Sequence, residues 1–412
     1  MTAMAASTSR SSACPDLPPS DLPPLAPLMT TASRLALARK RRGLTVTRLA
    51  QMAGLTPRRL SDFENGRAVP SPPSLEALAT VLEFPPSFFR AEEVAELTVD
   101  SVSFRAPSKM TASQRDIALS SGRLARTLQD WIGAHFRLPV PDVPSLTSFS
   151  RLGADEEQIP RPGEAAGKDV PAEEAASLVR ARWGLGNAPI PNVVHLLEAH
   201  GIRVFSLSRD CPEVDAFSFW DRGIPFTLLS TEKTAERGRF DAAHELGHLV
   251  LHGEEQMPHG PQAEAEAHRF AAALLMPRAD VLAHAPHGAS TSWILQAKRR
   301  WKVAAMALAH RLHELDLTTE WQYRTHCIEL GRLGYRKSEP RSGVARETSQ
   351  VLGKVFTALR SEGTRPADVA RELHLMPADL NDLIFGLVVT AQEGEGQRHG
   401  GAHDRPRLSV VR

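Results

Sequence analysis

From Ser33 to Arg90 the apolar positions recur at spacings of three and four, broken by short turns, which predicts a run of small helices. Ser33 to Gly43 forms a basic first helix. Thr45 is placed to cap a second helix ending at Met52, Gly54-Leu55-Thr56 makes the turn, and Pro57 opens a third helix that runs to Glu64 and stops at Asn65-Gly66. Leu49, Ala50, Leu55, Leu60 and Phe63 supply the apolar face between them, and Pro72 to Leu82 gives a fourth helix. An amphipathic stretch follows, with Leu124, Leu128, Trp131 and Ile132 on one face. Pro139 to Pro171 reads as a linker, and Ala172 to His200 as two helices. The pattern then shortens. Ile202 to Leu207, Ala216 to Trp220 and Pro225 to Leu229 are brief runs rich in β-branched and aromatic residues, as strands are. Helical spacing returns from about Thr234 to Leu251, from Pro261 to Leu275 and from Ser292 to Leu315.

The expected fold class is therefore α+β and mainly helical: an N-terminal all-α unit, a domain with a small sheet, then a helical C-terminal region. The expected boundaries are a disordered arm at 1–32, a helical unit at 33–90, a connector and linker at 91–174, the sheet-containing domain at 175–290, a helical region at 291–390 and a disordered tail at 391–412.

Composition changes this picture in three places. The 412 residues carry a net charge of only +1, but Ser33 to Arg67 holds nine Lys or Arg against two acids. Such a local excess is the footprint of a phosphate-binding face. The three cysteines, Cys14, Cys211 and Cys327, form no CxxC pair, so a disulfide framework and a cysteine zinc knuckle are both disfavoured. No apolar run reaches the ~18 to 20 residues of a membrane span, so no membrane partner and a cytoplasmic location are expected.

The chemistry is carried by His244-Glu245-Leu246-Gly247-His248. Two histidines four residues apart share one face of a helix and can bind one zinc ion, with Glu245 beside them as a candidate general base. Gly247 is costly inside a helix, which suggests close approach by another segment. The longer HExxHxxGxxH pattern is excluded because Leu251 and Glu254 stand where its glycine and third histidine belong. A third ligand should come from the next helix, where Glu264 lies sixteen residues past His248. His268 shares the face of Glu264 and is the rival ligand, or a partner behind the ligands. Glu266 is expected to point elsewhere, and His252 and His259 are expected to be solvent or loop histidines.

Two resemblances follow from these residues. Asp215-Ala216-Phe217, Pro225-Phe226, Arg239-Phe240, Ala243 to His252, Glu264-x-Glu-Ala-x-x-Phe270-Ala and Leu274-Leu-Met-Pro277 occur in the order seen in the ImmA/IrrE metallopeptidase family. That resemblance implies a zincin-like fold, zinc held by His244, His248 and Glu264, Glu245 as catalytic base, and regulator proteins as substrates. In the zincin arrangement a peptide lies along an edge strand, for which Ile224 to Leu229 is the candidate. No oxyanion-stabilising residue stands out, since Tyr323 and Tyr335 lie outside the motif. The segment 33–90 resembles an XRE-type, lambda-repressor-like helix-turn-helix domain, through Leu49-Ala50, Gly54-Leu55-Thr56, Phe63 to Arg67 and Pro70-Ser71. Val46 departs from it, as Gln is frequent there. The implied partner is double-stranded operator DNA, read by the third helix in the major groove. Arg58 and Arg59 are its candidate reading or phosphate contacts, with Ser61 on the same helix and Arg67 and Arg42 as phosphate contacts. A homodimer spanning two half-sites is expected.

A fainter feature is internal. Val46 to Gly66 aligns without gaps on Pro366 to Gly386, with Ala50, Leu55, Pro57, Leu60, Asp62 and Gly66 recurring as Ala370, Leu375, Pro377, Leu380, Asp382 and Gly386. Arg58 and Arg59 become Ala378 and Asp379, so a second scaffold that makes contacts without holding DNA is one reading, and coincidence between two short hairpins is the other. Two functions stay open. One is a DNA-binding regulator whose zinc metalloendopeptidase domain cleaves itself or a partner regulator. The other is a DNA-binding repressor, antitoxin-like or defence-linked, whose zinc domain senses or supports without catalysis.

Overall fold

The computed structural model describes residues 30–104, 110–144, 171–208, 210–253, 260–340, 342–384 and 386–388. Most of the expected arm, linker and tail, together with His259, lies outside them. The first four helices are α1 (Ala32–Arg41), α2 (Val46–Met52), α3 (Pro57–Glu64) and α4 (Pro72–Leu82). Their starts follow local chemistry. The Thr45, Thr56 and Ser71 side chains accept from the backbone amides of Arg48, Arg59 and Ser74, each satisfying a donor the first helical turn leaves open. Arg39 ties α1 to α3 through a two-pronged ion pair with Glu64, at 2.7 and 2.9 Å.

After a long helix α5 (Ala112–His135), helices α6 (Ala172–Arg182) and α7 (Val193–Ala199) lead into three strands. These are β1 (Arg203–Ser206), β2 (Ala216–Asp221) and β3 (Ile224–Leu229), in the order β1-β3-β2. β3 pairs in parallel with β1 and antiparallel with β2, with Phe219 opposite Phe226. The expectation that Ile224 to Leu229 is a peptide-accepting edge is therefore corrected. That strand is central, its backbone groups are spent on both neighbours, and β2 is an edge instead.

β2 alternates as a strand between two covered faces must. Phe217 and Phe219 turn to α5, where a Cβ on Gly122 would sit 3.4 and 3.3 Å from their rings. Ser218 turns the other way, to α8 (Ala235–Leu251), the helix that carries the HExxH residues. α9 (Pro261–Leu275) packs against α8. Gly247 makes that approach possible: a Cβ there would lie 3.1 Å from the Ala267 Cα and 3.1 Å from the Phe270 ring. Helices α10 (Arg278–His284), α11 (Thr291–Trp301), α12 (Ala305–Glu314) and α13 (Glu320–Arg332) follow. Lys298 is buried on α11 between two buried carboxylates, Glu236 and Glu339, both at 3.0 Å.

The chain ends with α14 (Gln350–Ser361), α15 (Pro366–Glu372) and α16 (Pro377–Ile384). The last two repeat α2 and α3 with every bound displaced by 320 residues, from 46 to 366 and from 64 to 384. Turn conformations repeat as well. Gly43, Gly54 and Gly66 have φ of 62, 68 and 68°, and Gly363, His374 and Gly386 have 84, 57 and 80°. The inter-helix bond from the Leu55 amide to the Ala50 carbonyl, 2.8 Å, recurs from Leu375 to Ala370 at 2.7 Å. Asp379, which stands on α16 where α3 has Arg59, is buried, whereas Ala378 and Asn381, at the places of Arg58 and Ser61, are exposed. Asp379 and Asp382 bind Arg42 and Arg41 at the end of α1, at 2.7 and 2.5 Å, while Ser206 of β1 donates to the Asp382 carbonyl.

Candidate metal centre and DNA-binding face

One turn of α8 separates His244 from His248, so both imidazoles leave the same side of the helix. Their Nε2 atoms are 3.1 Å apart. Glu264, in the first turn of α9, reaches both: Oε2 is 3.4 Å from His244 and Oε1 is 3.5 Å from His248. Among the described residues these three form the group of metal-type donors, all within 4.8 Å of one another. A tetrahedral zinc with bonds of about 2.0 to 2.1 Å has donor-to-donor edges of about 3.3 to 3.4 Å. The observed separations lie around that value, and two imidazoles with a carboxylate are a zinc-type donor set, so these residues fit the ion. Burial alone would raise the Glu264 carboxyl, but hydrogen bonds from both histidines outweigh it and bring it down to about 2.

His268 is not in this group. Its ring stands edge-on to His244 with centroids 6.4 Å apart, and it packs on Phe240 at 4.8 Å. His252 and Glu266, by contrast, stand directly behind His248. The Nδ1 of His252 is 3.1 Å from the Nδ1 of His248, and its Nε2 is 3.4 Å from Glu266. Residues behind a ligand fix its ring orientation and tautomer. The sequence hides this pair because a lone histidine at a helix end looks the same whether or not a carboxylate meets it.

Glu245 is buried, and one oxygen, Oε2, accepts from the hydroxyls of Ser103 at 2.7 Å and Ser218 at 2.8 Å. Burial is the largest influence on its carboxyl and pushes it up to about 7, against the opposing effects of His248 and the two hydroxyls. Neither serine was identifiable beforehand. Ser218 is one residue of an alternating strand, and Ser103 lies in a stretch with no periodicity, 142 residues from Glu245. Of the two tyrosines, Tyr335 donates its hydroxyl to the Pro340 carbonyl at 2.9 Å, and Tyr323 stacks on His313 with centroids 4.8 Å apart.

The N-terminal helices present a separate polar face. Arg58, Arg59 and Arg67 are exposed, and the Arg59 guanidinium lies over the Phe63 ring at 5.6 Å. Ser61 is half-buried, its carbonyl and hydroxyl both taken by Asn65, at 2.7 and 3.2 Å. Arg42 corrects an expectation. It is not presented as a phosphate contact, because its guanidinium binds both oxygens of Asp379 at 2.7 and 2.9 Å and also the carbonyls of Leu82 and Glu83. Buried carboxylate and backbone acceptors hold it on the side of α1 that meets the rest of the chain.

Comparison with known proteins agrees with this division. Residues 32–97 match a family described as a helix-turn-helix domain. Residues 197–313 match a peptidase family described as an IrrE N-terminal-like domain. The chain thus joins a helix-turn-helix unit, which implies DNA binding, to an IrrE-like unit. No curated protein matches the chain. No helix among the described residues is long and apolar enough to cross a membrane.

Proposed function

We propose that this protein is a DNA-binding transcriptional regulator with a zinc-dependent peptidase unit that cleaves itself or a partner regulator protein in the cytoplasm. The observation that carries the reading is the meeting of Glu245 with the His244-His248-Glu264 group. A purely structural zinc site has no use for a buried carboxylate beside its ligands. Zinc, when bound by His244, His248 and Glu264, would supply Lewis acidity to a scissile carbonyl and to water. Glu245 would take a proton from the attacking water and deliver it to the departing amine, and burial, which raises its carboxyl above the usual carboxylate range, favours its holding the proton between the two steps. His252 and Glu266 would hold the His248 ring in place. The peptide would lie along the edge of β2, the strand whose Ser218 touches Glu245.

On the DNA side, Arg58 and Arg59 at the start of α3 would enter the major groove, with Ser61 and Arg67 as nearby contacts. Two chains would be needed to span two half-sites, hence a homodimer. The C-terminal hairpin α15–α16 would serve as a contact module that holds α1 and does not bind DNA, since Asp379 stands where α3 has Arg59 and its carboxylate is already occupied. Binding of a peptide of residues 366–386 to duplex DNA would refute that role.

A second reading is favoured by one observation. The Glu245 oxygen seen to be engaged already accepts two hydroxyls, an arrangement equally suited to a zinc unit that senses or supports a repressor without cutting. Wild type and Glu245→Gln, both zinc-loaded, separate the two when incubated with regulator proteins encoded beside this chain and with the chain itself. Cleavage by wild type alone supports the peptidase. Intact regulators in both samples, with zinc bound at full stoichiometry, select the second reading.

A further inference from the structure

The stretch of β2 beside Glu245 is an edge of the sheet, yet it is occupied. Val102 bridges Phe219 in the antiparallel sense. The Ser103 amide donates to the Ser218 carbonyl at 2.9 Å, and the Ser218 amide donates to the Ser103 hydroxyl at 2.8 Å. Side chains alternate as in a strand. Ser103 turns to Glu245, 2.7 Å away, whereas the Phe104 ring goes to the other face and packs 5.1 Å from that of Phe217. Val102 and Phe104 are 0 and 2% exposed.

An extended peptide recognised by a sheet adds to a free edge through its backbone, and pockets for alternate side chains select it. Among the described residues, β2 is the strand that touches Glu245, and its outer edge is where Val102 to Phe104 sit. A piece of chain that merely joined two units would have no need to bury a hydroxyl on the candidate base. The piece that does so begins at 102, shortly after the helix-turn-helix match ends at 97.

We propose that Val102–Ser103–Phe104 is a built-in occupant of the peptide-binding edge, and that substrates are extended segments with a small residue between two large apolar ones, entering by displacing this strand. The inference rests on the peptidase reading above and names the substrate class and regulation of that same site. The displacement is an exchange of like for like. An incoming strand regains the backbone bond to the Ser218 carbonyl, regains the bond from the Ser218 amide where its small residue carries a hydroxyl, and refills the places of Val102 and Phe104. A three-residue strand has few such bonds to hold it, which suits a segment that must leave.

The test uses the full-length, zinc-loaded protein and a fluorescent peptide of its own residues 98–104. Binding is followed by fluorescence anisotropy for wild type, for Phe104→Asp, and for Ser103→Pro, which removes the amide that bonds Ser218 while leaving both apolar anchors in place. Hydrogen exchange on wild type reports whether the Ser103 amide is bonded. The expected results are at least tenfold tighter peptide binding in both variants and a Ser103 amide protected at least tenfold over an open chain. Equal binding to wild type and to Ser103→Pro, or exchange of the Ser103 amide at the open-chain rate, would overturn the proposal. Tighter binding without hydrolysis would uphold the occupied edge while counting against the peptidase reading. Hydrolysis by all three proteins with unchanged binding would uphold the peptidase and remove the occupant.

Discussion

Arg42 and Asp379 meet as a two-pronged ion pair at 2.7 and 2.9 Å although 337 residues separate them in the chain. The carboxylate is almost fully buried, and the Arg41 guanidinium stands 3.7 Å from the same Oδ1 that Arg42 binds. The pair joins the helix-turn-helix unit to a hairpin of the same shape, and the hairpin in turn covers β1.

Loss of that carboxylate leaves the Arg42 guanidinium with the Leu82 and Glu83 carbonyls alone, while Arg41 keeps Asp382 and Asp210. Asp379→Ala should therefore cost about 3 kcal/mol, the usual scale for breaking one side of a buried pair. Denaturant unfolding measures it. The double variant Arg42→Ala with Asp379→Ala should lose less than the sum of the singles, and strict additivity would show that the pair is not coupled.

Metal content should depend on Glu264 and not on His268. Glu264→Ala is expected to lose zinc at least tenfold in affinity, while His268→Ala keeps full stoichiometry by metal analysis. Chelation should lower Tm of wild type and leave Glu264→Ala unchanged, because only a site that binds in the folded state adds binding free energy to folding. Zinc retained by Glu264→Ala and lost by His268→Ala would reverse the ligand assignment.

Gly247→Ala places a methyl group 3.1 Å from the Ala267 Cα, and backbone cannot swing aside as a side chain can. Forcing α8 and α9 apart should cost about 1 to 3 kcal/mol and weaken zinc binding, since the ligands sit on both helices. A variant as stable as wild type with normal zinc affinity would show that the two helices have slack.

Operator binding should fall below detection in Arg58→Ala with Arg59→Ala, while zinc content stays the same. If both arginines contact phosphates, the salt dependence of any residual binding should drop by about 2 in slope. The expectation for Arg42→Ala is different, a loss of stability with little direct effect on phosphate contacts. Unchanged DNA affinity in the first variant, by gel shift, would remove α3 from the groove.

Glu198 gives a pH signature. It is buried under α14, where it accepts from the Ser349 hydroxyl and from the amides of Gln350 and Val351, at 2.8 and 3.1 Å. Burial outweighs those bonds and pushes its carboxyl up to about 7. A carboxyl raised on folding contributes stability that is full below the ordinary carboxylate range and lost as pH rises through 7. Wild type should lose Tm relative to Glu198→Gln between pH 5 and 8, and parallel curves for the two proteins would disprove the link.

Local chemistry was legible in the sequence wherever neighbours along the chain decide the outcome. The cap at Thr45, the proline start of α3, the turn at Gly54 and the four-residue spacing of His244 and His248 all depend on atoms a few residues apart, as do the Thr56 and Ser71 caps that only the structure revealed. The repeat of 46–66 at 366–386 was visible for the same reason, since turn and core residues recur at fixed offsets.

The tertiary structure decided everything that depends on which distant groups meet. That Glu264 and not His268 meets His244 and His248 follows from how α9 returns along α8; the family resemblance pointed to Glu264, while the residues by themselves left His268 as a rival. A run of apolar residues at 224–229 could not announce whether it was central or at an edge, because strand order is set by connections and not by periodicity. Arg42 resembled any other basic residue at a helix end until Asp379 arrived from the far end of the chain. Ser103 lay in a stretch with no pattern at all, and only the closing of the sheet edge placed its hydroxyl on Glu245.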